Sequence, residues 1–269
     1  MNKGLLIVFE GIDGTGKSTQ MSLLGRFLRE KGLTVIETRE PTNGQFGQQI
    51  RALYTNRNGV SPEQELELFL ADRQEHVDNV LTPALQEGKI ILCDRYFLST
   101  AAYQGVVDHY SAGAIPEASD TRPGKRSGAE TPALAVGHSS SIPGASDTRP
   151  SMAVGHSSSI PGASDTRPSM AVGFSPAEII AKNDFAPTPD LALLFCAPPR
   201  LGIERITKGR GETLNDFEQE ATLQKVAAIF DNMELPYIKR INASGSIVAI
   251  HQAVLQAVTP LLQPLSRHA

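Results

Sequence analysis

A glycine-rich segment gives the strongest indication of chemistry in this sequence. The eight residues from Gly11 to Ser18, GIDGTGKS, follow an apolar run and begin a helical pattern, which is the context of a phosphate-binding loop. Glycines let the backbone curl so that its N–H groups face phosphates, while Lys17 reaches the β- and γ-phosphates and Ser18 ligates Mg²⁺. The spacing predicts a nucleoside triphosphate site. The residues expected to bind it are Gly11, Ile12, Asp13, Gly14, Thr15, Gly16, Lys17, Ser18 and Thr19.

A carboxylate and a guanidinium follow a second apolar run. Residues 90–94, IILCD, end in Asp94, and Arg95 comes next. In a parallel sheet the carboxyl end of this strand lies beside the phosphate-binding loop. We therefore expect Asp94 to hold Mg²⁺ or its waters and Arg95 to grip the phosphate of an acceptor. An ion pair between these two residues at the end of the strand is the alternative.

Apolar runs that alternate with helical patterns predict the elements that position these side chains. Strands are predicted at residues 5–10, 34–38, 89–94, 191–195 and 237–242. Helices are predicted from residue 17, over 62–87, 98–104, 176–182, 200–207 and 215–233, and from residue 246. This alternation is typical of βαβ units. We predict an α/β fold of three layers with a doubly wound, parallel, five-stranded sheet.

Residues 106–173 interrupt this pattern with a repetitive segment. The 18 residues AVGHSSSIPGASDTRPSM occupy positions 135–152 and recur without change at 153–170. One Val, one Ile and one Met per repeat cannot offset an ordering cost of about 1–2 kcal/mol per residue, so we predict a disordered insertion. A peptide-binding or oligomerising module is the alternative. Residues 1–105 and 174–269 are then one domain, split by this low-complexity segment.

Composition argues against several functional classes. The 25 Lys and Arg residues nearly balance the 29 Asp and Glu residues, so the net charge suggests neither nucleic-acid binding nor a membrane anchor. Cys93 and Cys196 lie in apolar runs without a CxxC motif, which favours packing over redox or metal roles. His138 and His156 are expected to be solvated. The sequence shows no export signal, so we expect a cytoplasmic protein.

Four segments together resemble the thymidylate kinase family of P-loop nucleoside monophosphate kinases. They are FEGIDGTGKSTQ at 9–20, TREP at 38–41, LFLADR at 68–73 and DRYFLSTAAYQG at 94–105. The resemblance implies a P-loop kinase fold and the phosphorylation of dTMP to dTDP with ATP and Mg²⁺, which serves dTTP biosynthesis for DNA replication. It also implies a homodimer.

The resemblance assigns a dTMP site to residues on three segments. Phe69 would stack on the thymine, and Arg73, one helical turn later, would hold the base or the acceptor phosphate. The alternative places Phe69 in the core and Arg73 on a solvated face. Arg39 and Arg95 would bind the dTMP phosphate. Ser99, Tyr103 and Gln104 would contact the base edge and sugar, although Tyr103 could simply pack.

The resemblance also suggests how charge is neutralised during transfer. Asp13 would contact the deoxyribose 3′-hydroxyl and the metal region. No arginine lies between Gly11 and Lys17, but the segment RITKGRG at 205–211 occupies the position of a lid, from which Arg210 would approach the γ-phosphoryl. A glycine-flanked turn with ordinary surface cations is the alternative. The expected catalytic residues are Lys17, Arg95, Arg210 and Asp13.

Two other functions remain open on the sequence alone. One is a kinase of another deoxynucleotide. The other is a nucleotide-binding scaffold whose acceptor site is blocked by the insertion, because residue 106 follows directly after Tyr103, Gln104 and Gly105.

Overall fold

The computed structural model describes residues 4–55, 59–105, 173–210 and 219–262, and of Arg210 it describes the backbone alone. The disorder predicted for the insertion therefore concerns residues 106–172, which lie outside the described residues, as do His138 and His156.

Five parallel strands form one sheet in the order β2-β3-β1-β4-β5. The strands are β1 Leu5–Glu10, β2 Val35–Arg39, β3 Ile90–Asp94, β4 Leu191–Cys196 and β5 Ile238–Asn242. β1 is central, and its parallel partners are β3 and β4. The predicted parallel sheet is confirmed, and the carboxyl ends of β1 and β3 are neighbours.

Helices connect the strands. They are α1 Lys17–Glu30, α2 Gln45–Leu53, α3 Pro62–His76, α4 Thr82–Gln86, α5 Phe97–Gln104, α6 Pro176–Ala181, α7 Pro199–Arg210, α8 Glu220–Asp231 and α9 Ile247–Leu262. The start of α3 is fixed by a capping box, in which the Ser61 hydroxyl accepts from the Gln64 N–H and the Gln64 side chain accepts from the Ser61 N–H. This cap determines where the side chains of α3 lie along the helix.

The long helix predicted over residues 62–87 is present over 62–86, and it contains a π-helical segment that was not predicted. α3 ends at His76, and Val77–Leu81 form a π-helical turn before α4. Pro83 has no N–H to donate to the preceding turn, and its ring crowds the carbonyl there, so the widened turn relieves this conflict.

Two helices that contain glycine differ from the prediction: α2 was not predicted, and α7 is longer than predicted. α2 was not expected, since Gly47 lowers the helix propensity of its segment. The structure shows why a glycine lies there: a Cβ at Gly47 would come 2.0 Å from the carbonyl oxygen of Thr42. α7 continues through Gly209 to Arg210, so residues 205–210 are helical and do not form the glycine-flanked turn considered as an alternative.

The sheet is covered on both faces. One apolar cluster includes Leu6, Val8 and Ile91 with residues of α3, α5 and α8. The other includes Ile7, Phe9 and Leu92 with residues of α1 and α9. Alternate residues of one strand thus enter opposite clusters, which confirms three layers. Within the described ranges, no helix is both long and apolar enough to span a membrane.

Candidate active site

The loop between β1 and α1 requires glycine at its turns. Gly11, Gly14 and Gly16 have φ values of 127°, 76° and 88°, in the region that disfavours other residues. A Cβ at Gly14 would also come 2.1 Å from the carbonyl oxygen of Gly202 in α7. The phosphate-binding loop therefore rests directly on the backbone of α7.

Lys17 lies buried within the curl of this loop. Its amine donates to the carbonyl oxygens of Gly11 at 3.0 Å and Ile12 at 2.8 Å. Burial, followed by the positive charge of Arg95, lowers the pKa of Lys17 to about 8, so most of the amine is protonated at pH 7. The lysine is a cation held at the place where the motif predicts phosphates.

Ser18 and Asp94 meet at the carboxyl edge of the sheet. The Ser18 hydroxyl donates to Oδ2 of Asp94, because β3 pairs with β1 in a register that sets Asp94 opposite Phe9. A hydroxyl and a carboxylate are oxygen ligands of the kind that Mg²⁺ prefers. The described residues include no group of three or more His, Cys, Asp or Glu side chains placed to hold a metal. This sparse donor set fits a Mg²⁺ that takes its remaining ligands from substrate phosphates and water.

Arg95 follows this strand in a left-handed conformation, with φ 70°. Its guanidinium donates to Oδ1 of Asp13 at 2.5 Å and to the Ser99 hydroxyl at 3.0 Å, and it lies 5.0 Å from the centre of the Tyr103 ring. Arg95 thus pairs with Asp13, whereas Asp94 bonds to Ser18, so the ion pair considered between Asp94 and Arg95 does not explain these residues. A left-handed non-glycine residue is strained and is found preferentially at functional sites.

Asp13 accepts hydrogen bonds from both Arg95 and Tyr103. The Tyr103 hydroxyl donates to its Oδ2 at 2.9 Å. Burial by itself raises the pKa of Asp13, but the charges of Arg95 and Lys17 outweigh that effect and lower it to about 2. The structure therefore brings together Asp13, Lys17, Arg95, Ser99 and Tyr103 with the aspartate ionised.

A fully buried carboxylate supports this arrangement and was not predicted. Glu10 accepts from the backbone N–H of Tyr96 at 3.0 Å and from the Ser99 hydroxyl at 2.5 Å. Ser99 in turn accepts from Arg95, so Glu10 fixes both the start of α5 and the partner of that guanidinium. Burial raises the pKa of Glu10 to about 7, although the hydrogen bond from Ser99 opposes this. The sequence signal was a carboxylate that ends an apolar strand.

Arg73 is buried, not solvated. Its side chain is 1% exposed, and its guanidinium donates to Oε2 of Glu40 from Nε at 2.9 Å and to the Thr100 hydroxyl at 3.0 Å. A further donor bonds to Asn183. Oε1 of Glu40 lies 2.9 Å from Nδ1 of His76. Glu40 and His76 were not predicted, since nothing local in the sequence shows that these side chains become buried together.

The predicted base-binding residues lie where α3 faces α5. Glu65, Phe69 and Arg73 are successive members of one stripe on α3, four residues apart. Phe69 is partly exposed, and neither apolar cluster of the described residues includes it, so it does not serve as a core residue. Gln104 of α5 donates from Nε2 to Oε1 of Glu65 at 2.7 Å.

A cavity of about 670 Å³ lies above the phosphate-binding loop. Its walls include Asp13, Lys17, Ser18, Arg39, Asp94 and Arg95, together with Arg205 of the predicted lid segment. They also include Arg51, Tyr54, Gly245 and Ile247, which the sequence analysis missed. Arg51 belongs to the unpredicted α2. Phe69, Arg73, Ser99 and Gln104 are not among its lining residues.

The other predicted cations are placed differently. Arg39 is exposed and donates to Oδ1 of Asn43 at 3.2 Å. Arg205 donates to the carbonyl oxygen of Ala243 at 2.9 Å, and Lys208 pairs with Glu204 on the surface of α7. The side chain of Arg210 lies outside the described residues.

Comparison with known proteins agrees with this geometry. The sequence profile of the thymidylate kinase family matches residues 9–126. A thymidylate kinase of Desulfotalea psychrophila is 42% identical over 262 residues, which cover 97% of this chain and 98% of the relative. Thymidylate kinases of Akkermansia muciniphila and Xanthomonas campestris are 33% and 32% identical and match 96% and 98% of this chain, with 92% and 89% of their own lengths covered. The chain belongs to the thymidylate kinase family.

Proposed function

We propose that this protein transfers the γ-phosphoryl group of ATP to dTMP, which gives ADP and dTDP. One observation carries the proposal beyond family membership. The phosphate-binding loop and Arg95 lie at the carboxyl ends of the adjacent strands β1 and β3, so a donor phosphate site and a candidate acceptor cation share one edge of the sheet. In the cell this reaction supplies dTDP for the synthesis of dTTP.

The loop between β1 and α1 holds the triphosphate. Lys17 exchanges its bonds to the carbonyl oxygens of Gly11 and Ile12 for bonds to phosphate oxygens, since a protonated amine binds an anion more strongly than a neutral carbonyl. Ser18 and Asp94 hold the accompanying Mg²⁺. The ion, when bound, neutralises charge on the phosphates and fixes their orientation.

Arg95 binds the phosphate of dTMP. It is held in advance by Asp13, Ser99 and Tyr103, and a dianionic phosphate competes well for a guanidinium because two parallel N–H donors match two oxygens. Arg39 and Arg51 line the same cavity as Arg95 and add positive charge to it. Asp13, freed from Arg95 in part, accepts from the 3′-hydroxyl of the deoxyribose.

The thymine lies against Phe69, with Arg73, Ser99, Tyr103 and Gln104 around the base and sugar. Arg73 keeps its hydrogen bonds to Glu40. It contacts the ligand only through guanidinium N–H groups that are not already bonded to protein atoms. Its support for the base is therefore rigid and does not depend on a side-chain movement.

Transfer is direct and in line, without a phosphorylated enzyme. Phosphoryl transfer needs little covalent assistance and much charge neutralisation, which Lys17, Arg95 and the closing Arg210 supply. We place Arg210 in this role because α7 rests on the phosphate-binding loop at Gly202 and ends at this residue.

We further propose that residues 1–105 and 174–269 form one catalytic domain, with 106–173 as a disordered insertion, and that the protein is a cytoplasmic homodimer. Activity of a variant that lacks residues 106–173 tests the domain boundaries, because a domain that needs the repeats would not fold without them. Sedimentation velocity of the intact chain tests the dimer.

An acceptor panel tests the proposed reaction. The release of ADP from ATP and Mg²⁺ is measured with dTMP, dUMP, dCMP and thymidine in turn. We expect the highest kcat/KM with dTMP. A higher value with another nucleotide would identify a different deoxynucleotide kinase, and ATP binding without acceptor-dependent ADP release would indicate the scaffold.

A further inference from the structure

Glu65 and Gln104 form a buried polar pair between α3 and α5. The side chain of Gln104 is 3% exposed, and its Nε2 donates to Oε1 of Glu65 at 2.7 Å. The carbonyl oxygen of the same amide, Oε1, is in contrast buried and unpaired among the described residues.

The orientation of this amide follows from chemistry. The NH₂ group of Gln104 donates to Oε1 of Glu65, and an amide nitrogen is a donor whereas a carboxylate oxygen is an acceptor. A rotation of the amide by 180° would bring two acceptor oxygens together at the same short distance. The bond to Glu65 thus sets which atom of the amide is nitrogen and which is oxygen.

A buried acceptor without a donor is uncommon in a native protein, since the lost interaction with water is not replaced. Gln104 Oε1 is such an acceptor. It therefore indicates a donor that arrives with a ligand.

The position of this acceptor indicates which ligand. Thr100 and Gln104 lie one turn apart on α5, and they bond respectively to Arg73 and Glu65 on α3. Phe69 stands midway between Arg73 and Glu65. The residues on either side of Phe69 on this stripe of α3 both bond to α5, so a base that stacks on Phe69, as in the proposed function, would lie beside the helix that carries Gln104.

We infer that Glu65 is a positioning residue, which presets the Gln104 amide so that its carbonyl oxygen accepts the N3–H of a pyrimidine base. This inference rests on the proposed function, and it states how the acceptor site distinguishes thymine and uracil from cytosine. Thymine and uracil carry a hydrogen at N3. Cytosine has an acceptor there, so the preset oxygen meets another lone pair and rejects the base.

The substitution Glu65→Gln tests this directly. An amide at position 65 can either accept from Gln104 or donate to it, so Gln104 becomes free to present either its oxygen or its NH₂ group to the base. We expect the preference for dTMP over dCMP, measured as the ratio of kcat/KM values and of binding constants, to fall by about tenfold or more. Most of the change should be a gain for dCMP, and dUMP should follow dTMP.

Two further variants serve as controls. Glu67→Gln removes an exposed carboxylate from the same helix and should leave the ratio unchanged. The double substitution Glu65→Gln with Gln104→Glu exchanges donor and acceptor, and it again presents an oxygen acceptor to the base. The double variant should regain most of the preference for dTMP, which a loss of folding could not produce.

The inference is overturned if Glu65→Gln keeps the ratio within about twofold of the wild-type value, or if dTMP and dCMP weaken equally. Binding of the three nucleotides, measured calorimetrically, separates this inference from the proposed function. A wild-type protein that transfers no phosphoryl group but binds dTMP and dUMP over dCMP, and loses that order on Glu65→Gln, would refute the proposed function and support the role of Glu65.

Discussion

Substitution of Glu40 by Gln should destabilise the protein strongly, although it changes only one atom. Glu40 is 4% exposed, and it neutralises Arg73, which is 1% exposed. A glutamine preserves the shape and still offers an oxygen to Arg73, while its amide can face Nδ1 of His76 if that nitrogen accepts. The charge alone is lost, and a buried guanidinium remains without its counterion.

The magnitude follows from the burial of the pair. Removing one partner of a buried ion pair costs about 3–5 kcal/mol, because the other charge stays desolvated. At about 2–4 °C per kcal/mol for a domain of this size, the melting temperature should fall by about 6–20 °C. The free energy of unfolding is measured by urea denaturation, with the melting temperature as an independent measure.

Glu37→Gln is the matched control, since Glu37 lies on β2, three residues before Glu40. Glu37 also pairs with an arginine, Arg29, at 2.6 Å, but the two side chains are 24% and 47% exposed. An exposed pair of this kind contributes about 0–1 kcal/mol. A cost for Glu40→Gln no larger than that for Glu37→Gln would refute the reasoning, since it would mean that the charge of Arg73 does not need Glu40.

Two other substitutions test the surroundings of the phosphate-binding loop. Gly202→Ala would place a Cβ 2.5 Å from the carbonyl oxygen of Asp13, so we expect a weaker affinity for ATP in an equilibrium titration. Gly209→Ala on the same helix is the control, because its Cβ would meet no atom within 4 Å and should leave the affinity for ATP unchanged. Glu10→Gln should change how stability depends on pH. The pKa of Glu10 is raised to about 7 from 4.5, so its stabilising protonated form is complete below pH 4.5 and is lost as the pH rises through 7. Urea denaturation from pH 5 to 8 should show wild-type protein losing on the order of 3 kcal/mol relative to Glu10→Gln, and parallel curves would contradict this.

The parts of the fold that could be predicted are those with a local signal. The strands β1, β3 and β4 were found because their apolar runs are continuous and they are buried on both faces of the sheet, as for Ile7 and Val8. The phosphate-binding loop was found because its glycine spacing directly encodes backbone conformation. The parallel order then placed Asp94 and Arg95 beside it.

The parts that could not be predicted depend on contacts between distant segments. Arg73 meets Glu40 across 33 residues and Asn183 across 110 residues, so its burial has no local signature. Glu65 has no local signal that separates it from other charged residues of α3, and the partners of Glu10 are set only when the start of α5 packs against the end of β1. α2 was hidden because Gly47, which its packing requires, is a poor helix former.

The most direct test of the central claim is to quantify both products formed by the intact chain of 269 residues. Purified protein is incubated with ATP and Mg²⁺, with and without dTMP, and dTDP and ADP are separated and measured. We expect equal amounts of dTDP and ADP, both dependent on dTMP. ADP that forms at the same rate without dTMP, or ATP binding without any dTDP, would contradict the proposed transfer.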